Sequence, residues 1–483
     1  MRKKILPVAT LCVALASASS ASEDIPKRAL KTNYQLIDNQ KQKEVNSFSA
    51  MLQEGNFYGR LRSNSFYYKW EKETASQENH VTSGLGGSLL YKSAIYNGFD
   101  LGAGLYYSHG FTTVSQNDAK NMKAGADVLN RFDYINTGSK ELGVLGEAYI
   151  RYSGFNQSEI KIGRQIVETF YTKSNDTKMI PNTFEGVVLD TAIIPKTPIK
   201  LAYLTKEKLR AHGDTHSVLA WDDANSSSAL KQLKWDQNDD SAMHRGLTYT
   251  KLKAVGKEDA PLIVGDLHNS SLENLKVDAS FYVVPELIWE IMAEANYQID
   301  LGSFSLSPGV RYIKQFDNKA GKIGGAAYDN TTKGYNDPDS LESQMFAARL
   351  VAKYEKIQLN LGYSKVFDEA DLITPWRGFP TAGYTRSMAR YNWMANTKSY
   401  RIELQLNNNK TGIYKDVFVQ ASVLHTDADE NKGLFDENYY YVGFVQNLPM
   451  MPELQWRLRL GYNDTKKTDA DSLDARFELN YLF

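Results

Sequence analysis

A two-residue alternation of apolar and polar side chains is the feature of this sequence that most restricts its fold. It is clearest in the last thirteen residues, DSLDARFELNYLF, Asp471–Phe483. From Leu473 onwards the odd-numbered residues are apolar, and the even-numbered ones are polar except Leu482. Successive side chains of a β-strand point to opposite faces, so this segment is predicted to be a strand with one apolar and one charged face.

The same period recurs along the chain, for example in ELQWRLRLGYN (Glu453–Asn463) and SYRIELQL (Ser399–Leu406). It predicts eighteen strands, and the assignment between Leu252 and Asn274 rests on the least regular pattern. The predicted strands are 55–69, 80–95, 99–112, 141–153, 157–165, 184–193, 199–208, 244–253, 274–284, 287–300, 303–316, 341–355, 357–367, 398–408, 414–425, 437–448, 453–465 and 471–483.

The N-terminal residues have the pattern of a secretory signal peptide. Three basic residues at positions 2–4 precede an apolar run that starts at Ile5, and small residues follow it. The single cysteine, Cys12, lies in this segment, so the exported chain is predicted to contain no disulfide. Removing the three cations changes the formal net charge from −1 to −4, which gives no broad basic surface for nucleic acid.

Alternating strands fit either a soluble Tyr-rich β-sandwich with one wet face or a transmembrane barrel. No later segment approaches the ~20 apolar residues of a spanning helix. Aromatic residues near strand ends favour an antiparallel barrel of about 18 strands, as do connections that are either tight (Pro195–Pro198) or long and polar (Leu209–Met243). The predicted organisation is a signal peptide over 1–21, a periplasmic segment over 22–54 with a short helix near Ser47–Glu54, and the barrel over 55–483, with extracellular long loops.

Three segments are similar to a known family. KIGRQIVETFYTKSNDTKMIPNTFEG (Lys161–Gly186) resembles the third strand pair and inward-folded loop of the OprD-type substrate-specific porins. The segment Asp371–Leu404, DLITPWRGFPTAGYTRSMARYNWMANTKSYRIEL, resembles that family's seventh loop and the strand that follows it. The segment Asp239–Leu247, DDSAMHRGL, resembles the place where the chain of that family re-enters the barrel after the fourth loop. The resemblance implies a monomer-sized eighteen-stranded barrel, narrowed by inward loops, that passes small and often carboxylate-bearing solutes along a ladder of basic side chains.

Basic residues on the polar strand faces are the candidates for such a ladder. In a barrel these faces line the lumen, where fixed cations lower the barrier for an anion and bind carboxylates. The alternative is that they pair with lumen acids such as Glu147, Glu159, Glu403, Asp474 and Glu478 and only hold the wall together. The predicted basic ladder comprises Arg60, Arg62, Arg151, Lys161, Arg311, Arg349, Lys353, Arg401, Arg457, Arg459 and Arg476.

Two long loops supply further candidates. If the loop 166–183 folds inward, it forms a constriction with Lys173, Asp176, Lys178 and Asn182; the alternative is an ordinary exposed hairpin loop. The loop 368–397 is rich in aromatic and guanidinium groups, which either bind a substrate at the mouth or pack the loop against the barrel rim. Its candidate residues are Trp376, Arg377, Tyr384, Arg386 and Arg390.

No metal, cofactor or catalytic site is predicted. His212 and His216 are four residues apart, but they fall in a predicted loop without an evident third ligand. No nucleophile, base and orienting group come together in a known hydrolase context, so a surface adhesin and, less favoured, an outer-membrane hydrolase remain the alternatives.

The preferred function is selective passive diffusion of small hydrophilic solutes through the outer membrane. The expected partners are outer-membrane lipid and lipopolysaccharide, small solutes, and the barrel assembly machinery, for which the C-terminal strand ending in Phe483 is the usual type of signal. A monomer or loose trimer is expected.

Overall fold

The computed structural model describes residues 26–221, 234, 244–329, 331–407 and 412–483, and its main element is a closed antiparallel β-barrel. The predicted fold class is thereby confirmed, while the predicted signal peptide lies outside the described residues. No helix in the described ranges is long and apolar enough to span a membrane. Eighteen strands form the barrel wall within these ranges: β1 Asn56–Trp70, β2 His80–Lys92, β3 Phe99–Thr112, β4 Glu141–Phe155, β5 Ser158–Gln165, β6 Thr183–Thr191, β7 Ile199–Lys208, β8 Leu262–Asn269, β9 Leu275–Val284, β10 Ile288–Tyr297, β11 Phe304–Asp317, β12 Ser343–Tyr354, β13 Ile357–Val366, β14 Lys398–Leu406, β15 Phe418–Asp427, β16 Glu437–Leu448, β17 Met451–Thr465 and β18 Ser472–Leu482.

The first and last strands close the barrel. β18 pairs antiparallel with β1, in a register that sets Ser472 opposite Trp70 and Leu482 opposite Arg60. Beyond β18, Gly59 and Phe483 exchange two backbone hydrogen bonds of 2.9 and 3.1 Å. Closure satisfies the edge groups that an open sheet leaves unpaired.

The alternation in sequence corresponds to the two faces of the wall. In β18, Phe477 is 44% exposed on the outside, whereas the neighbouring Glu478 is fully buried on the lumen side. Large apolar side chains such as Leu61, Ile402 and Tyr462 are exposed on the outer face of other strands. Such an outer surface is unfavourable in water and favourable in hydrocarbon.

The two ends of the barrel differ in their connections. At one end short turns join the strands, such as residues 156–157 between β4 and β5. At the other end most connections are long, and they include residues 113–140, 166–182, 209–261 and 367–397. These are called the turn end and the loop end below.

Seventeen of the eighteen predicted strands overlap the observed ones, but the prediction for 244–253 is wrong. This segment contains a helix, Tyr249–Ala254, whose N-cap Thr248 accepts a hydrogen bond from the Lys251 amide. The eighth strand is β8, which follows Pro261. Its lumen-facing Leu262 and Val264 are buried in an apolar cluster with the inward loops, so the loop-end half of β8 lacks the expected polar residues. The turn-end half carries Asp266 and His268 on the same face.

Helices lie outside the barrel wall. The predicted short helix is present as α1, Phe48–Gln53, and the Ser47 side chain caps it by accepting a hydrogen bond from the Ala50 amide. The loops contain α2 Arg131–Thr137, α3 Tyr249–Ala254 and α4 Ala320–Gly324, and the 3₁₀ turns Ala119–Asn121, Ala126–Val128 and Glu430–Lys432.

A short hairpin precedes α1 and lies inside the barrel. Its strands Arg28–Leu30 and Leu36–Asp38 pair antiparallel. Leu30 and Leu36 pack in one cluster with the lumen-facing Tyr58, Leu90 and Leu482. The predicted domain boundaries stay a prediction, but this part of the N-terminal segment lies within the lumen at the turn end.

Candidate functional site

The loop between β5 and β6, residues 166–182, folds inward across the lumen. Asp176, which is 2% exposed, pairs with Arg60 and Arg62 of β1, four strands away along the wall. Lys173 lies 3.6 Å from the carboxylate of Glu168 and donates its amide to the Trp376 carbonyl. The side chain of Asn182 spans the loop base, because it donates to the Lys173 carbonyl and accepts from the Arg210 amide.

The loop between β13 and β14, residues 367–397, also folds inward and contacts the first loop. Gly378 donates its amide to the Tyr171 carbonyl, and Arg377 forms a backbone bridge with Thr172. The Trp376 indole is 1% exposed and donates to the Val218 carbonyl at 2.7 Å. Of the predicted mouth residues, Trp376 and Arg377 are buried inside the barrel, whereas Arg390 pairs with Glu437 at the loop-end start of β16.

One group of ladder residues lies on β1, β17 and β18. Arg62 has Asp176 at 2.7 Å and Glu478 at 3.7 Å. Arg459 pairs with Glu478, and Arg476 donates from Nε to Asp474 at 2.9 Å. Arg457 donates to Gln455 at 2.6 Å, and no carboxylate pairs with it among the described residues.

A second group joins the wall to the β13–β14 loop. Arg311 and Arg349 share the carboxylate of Glu294, with nitrogen–oxygen distances of 2.7 and 2.9 Å. Arg311 also donates to the carbonyls of Pro380 and Ala382, and both guanidinium groups lie over the Tyr384 ring at 4.5 and 4.6 Å. These arginines stabilise the inward position of the loop.

The remaining predicted ladder residues are more dispersed. Arg151 pairs with Asp100 and Glu159, and Arg401 pairs with Glu403. The Lys161 ammonium lies 4.7 Å from the centre of the Tyr149 ring, while Lys353 is exposed near the turn end. Most of the predicted ladder thus has acidic partners, as the alternative interpretation expected, although the residues do line the lumen.

A polar cavity of about 500 Å³ lies above the inward loops at the loop end, and we call it the chamber. Its lining combines loop residues with the upper parts of β1, β17 and β18. Asp127 and Asp474 are its two acidic residues among those described. Its eleven cations are Lys120, Lys123, Arg131, Lys178, Arg210, Arg245, Arg377, Arg386, Arg390, Arg459 and Arg476.

Two chamber cations are held largely by aromatic rings. Arg386 lies 4.5 Å from the centre of the Phe379 ring and donates to the Ser387 and Arg390 carbonyls. Burial lowers the pKa of Arg386 to about 10, so it remains charged at neutral pH. Lys178 lies 4.1 Å above Phe66, and burial, together with the positive charge of Arg476, lowers its pKa well below the usual range. An anion in the chamber would offset both penalties.

A second cavity of about 450 Å³ lies at the turn end, and we call it the turn-end pocket. Four acidic side chains line it: Glu159, Glu168, Asp190 and Asp266. Lys200 and His268 are its basic residues in the described part of the chain, and Lys200 pairs with Asp190 at 2.8 Å. The chamber and this pocket share no lining residue.

The predicted histidine pair is buried in the β7–β8 loop. His212 Nδ1 lies 2.9 Å from His216 Nε2, and burial lowers the pKa of His216 to about 4. The rings pack against Trp221. Among the described residues, no group of three metal-ligating side chains occurs.

Sequence reasoning missed several chamber residues. Five of them lie in loops, where the two-residue alternation of a strand does not apply: Lys120, Lys123, Arg131, Arg210 and Arg245. The available signal was composition: the loop 113–140 contains Lys120, Lys123 and Arg131 within twelve residues.

Comparison with known proteins adds a relationship at the level of structure. No family model matches the chain, and no curated protein matches its sequence. OccK9 (OpdG) of Pseudomonas aeruginosa superposes with a TM-score of 0.66 at 16% identity, covering 90% of this chain and 99% of that one. The chain has the fold of the OprD-type porins.

Two further porins of this fold match nearly their whole length. OccAB4 of Acinetobacter baumannii gives a TM-score of 0.65 at 13% identity, covering 89% of this chain and 98% of its own. OpdK of Pseudomonas aeruginosa, solved with vanillate, gives 0.64 at 14% identity, covering 90% and 99%. The resemblance found in 161–186 and 371–404 is confirmed at the level of the OprD-type fold.

Proposed function

We propose that this protein is an outer-membrane channel for the passive, selective diffusion of small anionic solutes, carboxylates among them. The observation that carries the proposal is the chamber, where eleven basic side chains face two acidic ones among the described residues. Walls of low dielectric focus the field of such a group and raise the local concentration of anions. The OprD-type fold supports a porin, and one structure of that fold holds vanillate, a carboxylate.

The contacts of the chamber suggest how a carboxylate is held. Arginine offers a carboxylate two parallel hydrogen bonds, whereas lysine acts as a point charge. Arg386 sits on aromatic rings, with no carboxylate in salt-bridge distance among the described residues. Its charge is therefore available to a solute, unlike that of Arg390, which Glu437 already pairs.

The outer surface supports the location in the membrane. The large exposed side chains of the wall are predominantly apolar, and outward-facing charges such as Arg164 and Glu185 lie near the loop-end ends of their strands. The recognition of the C-terminal strand by the barrel assembly machinery, the cleavage of residues 1–21, and a monomeric or loosely trimeric state stay predictions.

A planar-bilayer experiment with the purified protein tests the proposal. In a salt gradient, the reversal potential is expected to show anion preference, and succinate is expected to reduce the chloride current that flows through a channel while it is open. Arg386→Gln should weaken the reduction by succinate about three- to tenfold, since one of several focused charges is removed. Lys356→Gln, at an exposed turn-end lysine paired with Asp416, is the matched control and should change nothing.

Two results would contradict the proposal. One is the absence of any single-channel current from folded protein both with and without succinate. The other is a current with cation preference and no response to succinate, which would make the chamber a structural feature only.

A further inference from the structure

The N-terminal hairpin, residues 27–39, occupies the lumen at the level of the inward loops. Its backbone is closed at the base by a 2.8 Å hydrogen bond from the Asn39 amide to the Lys27 carbonyl. Ala29, Leu30 and Tyr34 are at most 5% exposed. A segment that reaches this depth lies between the chamber and the turn-end pocket, which share no lining residue.

The tip of the hairpin is seated on the basic ladder. The Tyr34 ring lies 3.7 Å from the guanidinium carbon of Arg457 and 5.3 Å from that of Arg459. The Tyr34 carbonyl accepts a 2.7 Å hydrogen bond from Arg60. Tyr34 thus engages three ladder guanidinium groups, and Arg457 is the one that has no carboxylate partner among the described residues.

The tip also contacts the β5–β6 loop. Asn33 donates to the Glu168 carboxylate at 2.8 Å and to the Ser174 hydroxyl at 3.2 Å. Arg60 joins the two elements, because it bonds Tyr34 and pairs with Asp176 of the loop. Hairpin, loop and ladder are therefore joined by direct contacts in this part of the lumen.

The backbone of the tip is strained. Tyr34 has a φ of 70°, in the left-handed region that favours glycine or asparagine and disfavours a bulky residue. It closes the turn by donating its amide to the Lys31 carbonyl at 2.8 Å. A tyrosine persists at such a position when its side chain makes compensating contacts, which here are those with the ladder arginines.

The attachment of the hairpin is weaker than that of the loop beside it. Asp176 fixes the β5–β6 loop through two buried ion pairs. No ion pair joins residues 27–39 to the barrel in the described part of the chain; its contacts are hydrogen bonds, cation–π contacts and apolar packing. Of the two elements, the hairpin is the one that separates from the wall at lower cost.

We propose that residues 27–39 form a displaceable plug, which closes the lumen while Tyr34 is seated on Arg457, Arg459 and Arg60. An anionic solute that binds Arg457, which has no carboxylate partner among the described residues, competes with the Tyr34 ring and releases the hairpin, so the solute opens its own path. This inference rests on the proposed function, since it presupposes that the lumen conducts.

Three variants of the full-length protein separate the plug from a merely structural hairpin in single-channel recordings. Tyr34→Gly removes the ring and also relieves the backbone strain, so an open channel cannot be attributed to a broken turn. It should raise the ratio of open to closed time about five- to thirtyfold, from the loss of the cation–π contacts. Deletion of 27–39 should open the channel at least as far, and Tyr34→Phe, which keeps the ring, should behave like the wild type.

A reversible lock provides the complementary test. Asn33→Cys combined with Ser174→Cys, in a Cys12→Ser background that leaves no other cysteine, places two thiols where the hairpin meets the loop. Joining them with a short bis-methanethiosulfonate reagent should hold the channel closed in the presence of succinate, and a reductant should restore opening. Each single-cysteine variant, treated in the same way, should still open.

The outcomes distinguish the plug from the channel itself. The plug hypothesis is wrong if the same steady current passes through four proteins: the wild type, Tyr34→Gly, the deletion variant and the cross-linked protein. The channel function stands in that case. If succinate lengthens the open intervals of the wild type but not those of the deletion variant, competition for the ladder is supported. Equal lengthening of the open intervals in the wild type and in the deletion variant would overturn the proposed competition. No current from any folded variant would instead refute the channel function.

Discussion

The two cavities of the lumen are surrounded by one barrel wall, yet they carry opposite charge. Among the described residues, the chamber at the loop end has eleven basic residues and two acids, whereas four acids and one lysine line the turn-end pocket, with His268. The net charge of the chain, −1, predicts neither environment. For the proposed channel, this difference means that the path is polarised along its length, so that an anion is attracted at the loop end and is not retained at the turn end.

The first point to test is whether the chamber faces the outside of the cell. The expected effect is the largest, because a cysteine on intact cells is either labelled or not labelled. Ser76→Cys lies in an exposed loop-end connection, and Lys196→Cys lies in an exposed turn. If the chamber faces the outside of the cell, a membrane-impermeant thiol reagent added to whole cells should label the first variant and not the second. Both should react after the membrane is broken. Labelling of Lys196→Cys alone on intact cells would reverse the polarity.

Neutralising the rim of the chamber should have the next largest effect. Lys120 and Lys123 are exposed at this rim, so Lys120→Gln with Lys123→Gln should leave folding intact. Two unit charges about 7 Å apart interact by roughly 2 kcal/mol at an effective dielectric constant near 20, before screening by salt. The anion-to-cation permeability ratio should therefore fall about three- to tenfold at low salt, and less at high salt.

The control for this rim variant removes the same charge elsewhere. Lys196→Gln with Lys356→Gln eliminates two exposed cations at the turn end. An equal change in reversal potential from both double variants would show that net charge, and not the chamber, determines selectivity.

The acids of the turn-end pocket should act in the opposite direction and more weakly. Glu159→Gln with Asp190→Asn should increase anion preference about twofold, because both carboxylates already face a basic partner, Arg151 or Lys200. The same reversal-potential measurement checks this. A fall in anion preference would mean that these acids do not line the solute path.

The smallest expected effect is a dependence on pH. Burial lowers the pKa of Lys178 below its usual range, so Lys178 gains a proton, and the chamber a positive charge, as the pH falls through that lowered pKa. Anion preference measured from about pH 9 to about pH 5 should rise more steeply in the wild type than in Lys178→Gln. Parallel curves would show that Lys178 does not titrate in this range.

The sequence was sufficient to predict the wall because the alternation in a strand is local. The faces of β18 could be assigned residue by residue, and Glu478 and Phe477 lie on the predicted sides. The prediction was wrong at β8, where Leu262 and Val264 on the lumen side pack against folded-in loops. That burial depends on tertiary contacts, which periodicity does not encode.

The candidate site was less predictable than the wall. The alternation of faces along the strands identified ladder arginines such as Arg459 and Arg476, but it did not show that acids already pair with them. The chamber cations Arg210 and Arg245 lie in a loop of irregular structure, and Tyr34 lies in a segment expected below the barrel. The positions of Arg210, Arg245 and Tyr34 depend on tertiary structure, which the periodicity of the sequence does not encode.

The seam between β1 and β18 has a consequence for the time course of assembly. Its contacts join residues at opposite ends of the barrel sequence, such as the Tyr68 hydroxyl and Ser472, 3.0 Å apart. Contacts of such large sequence separation form late and slowly. Until they form, β1 and β18 each expose an unpaired edge, which favours aggregation and proteolysis. A molecule stalled at this stage would be the form most susceptible to periplasmic quality control.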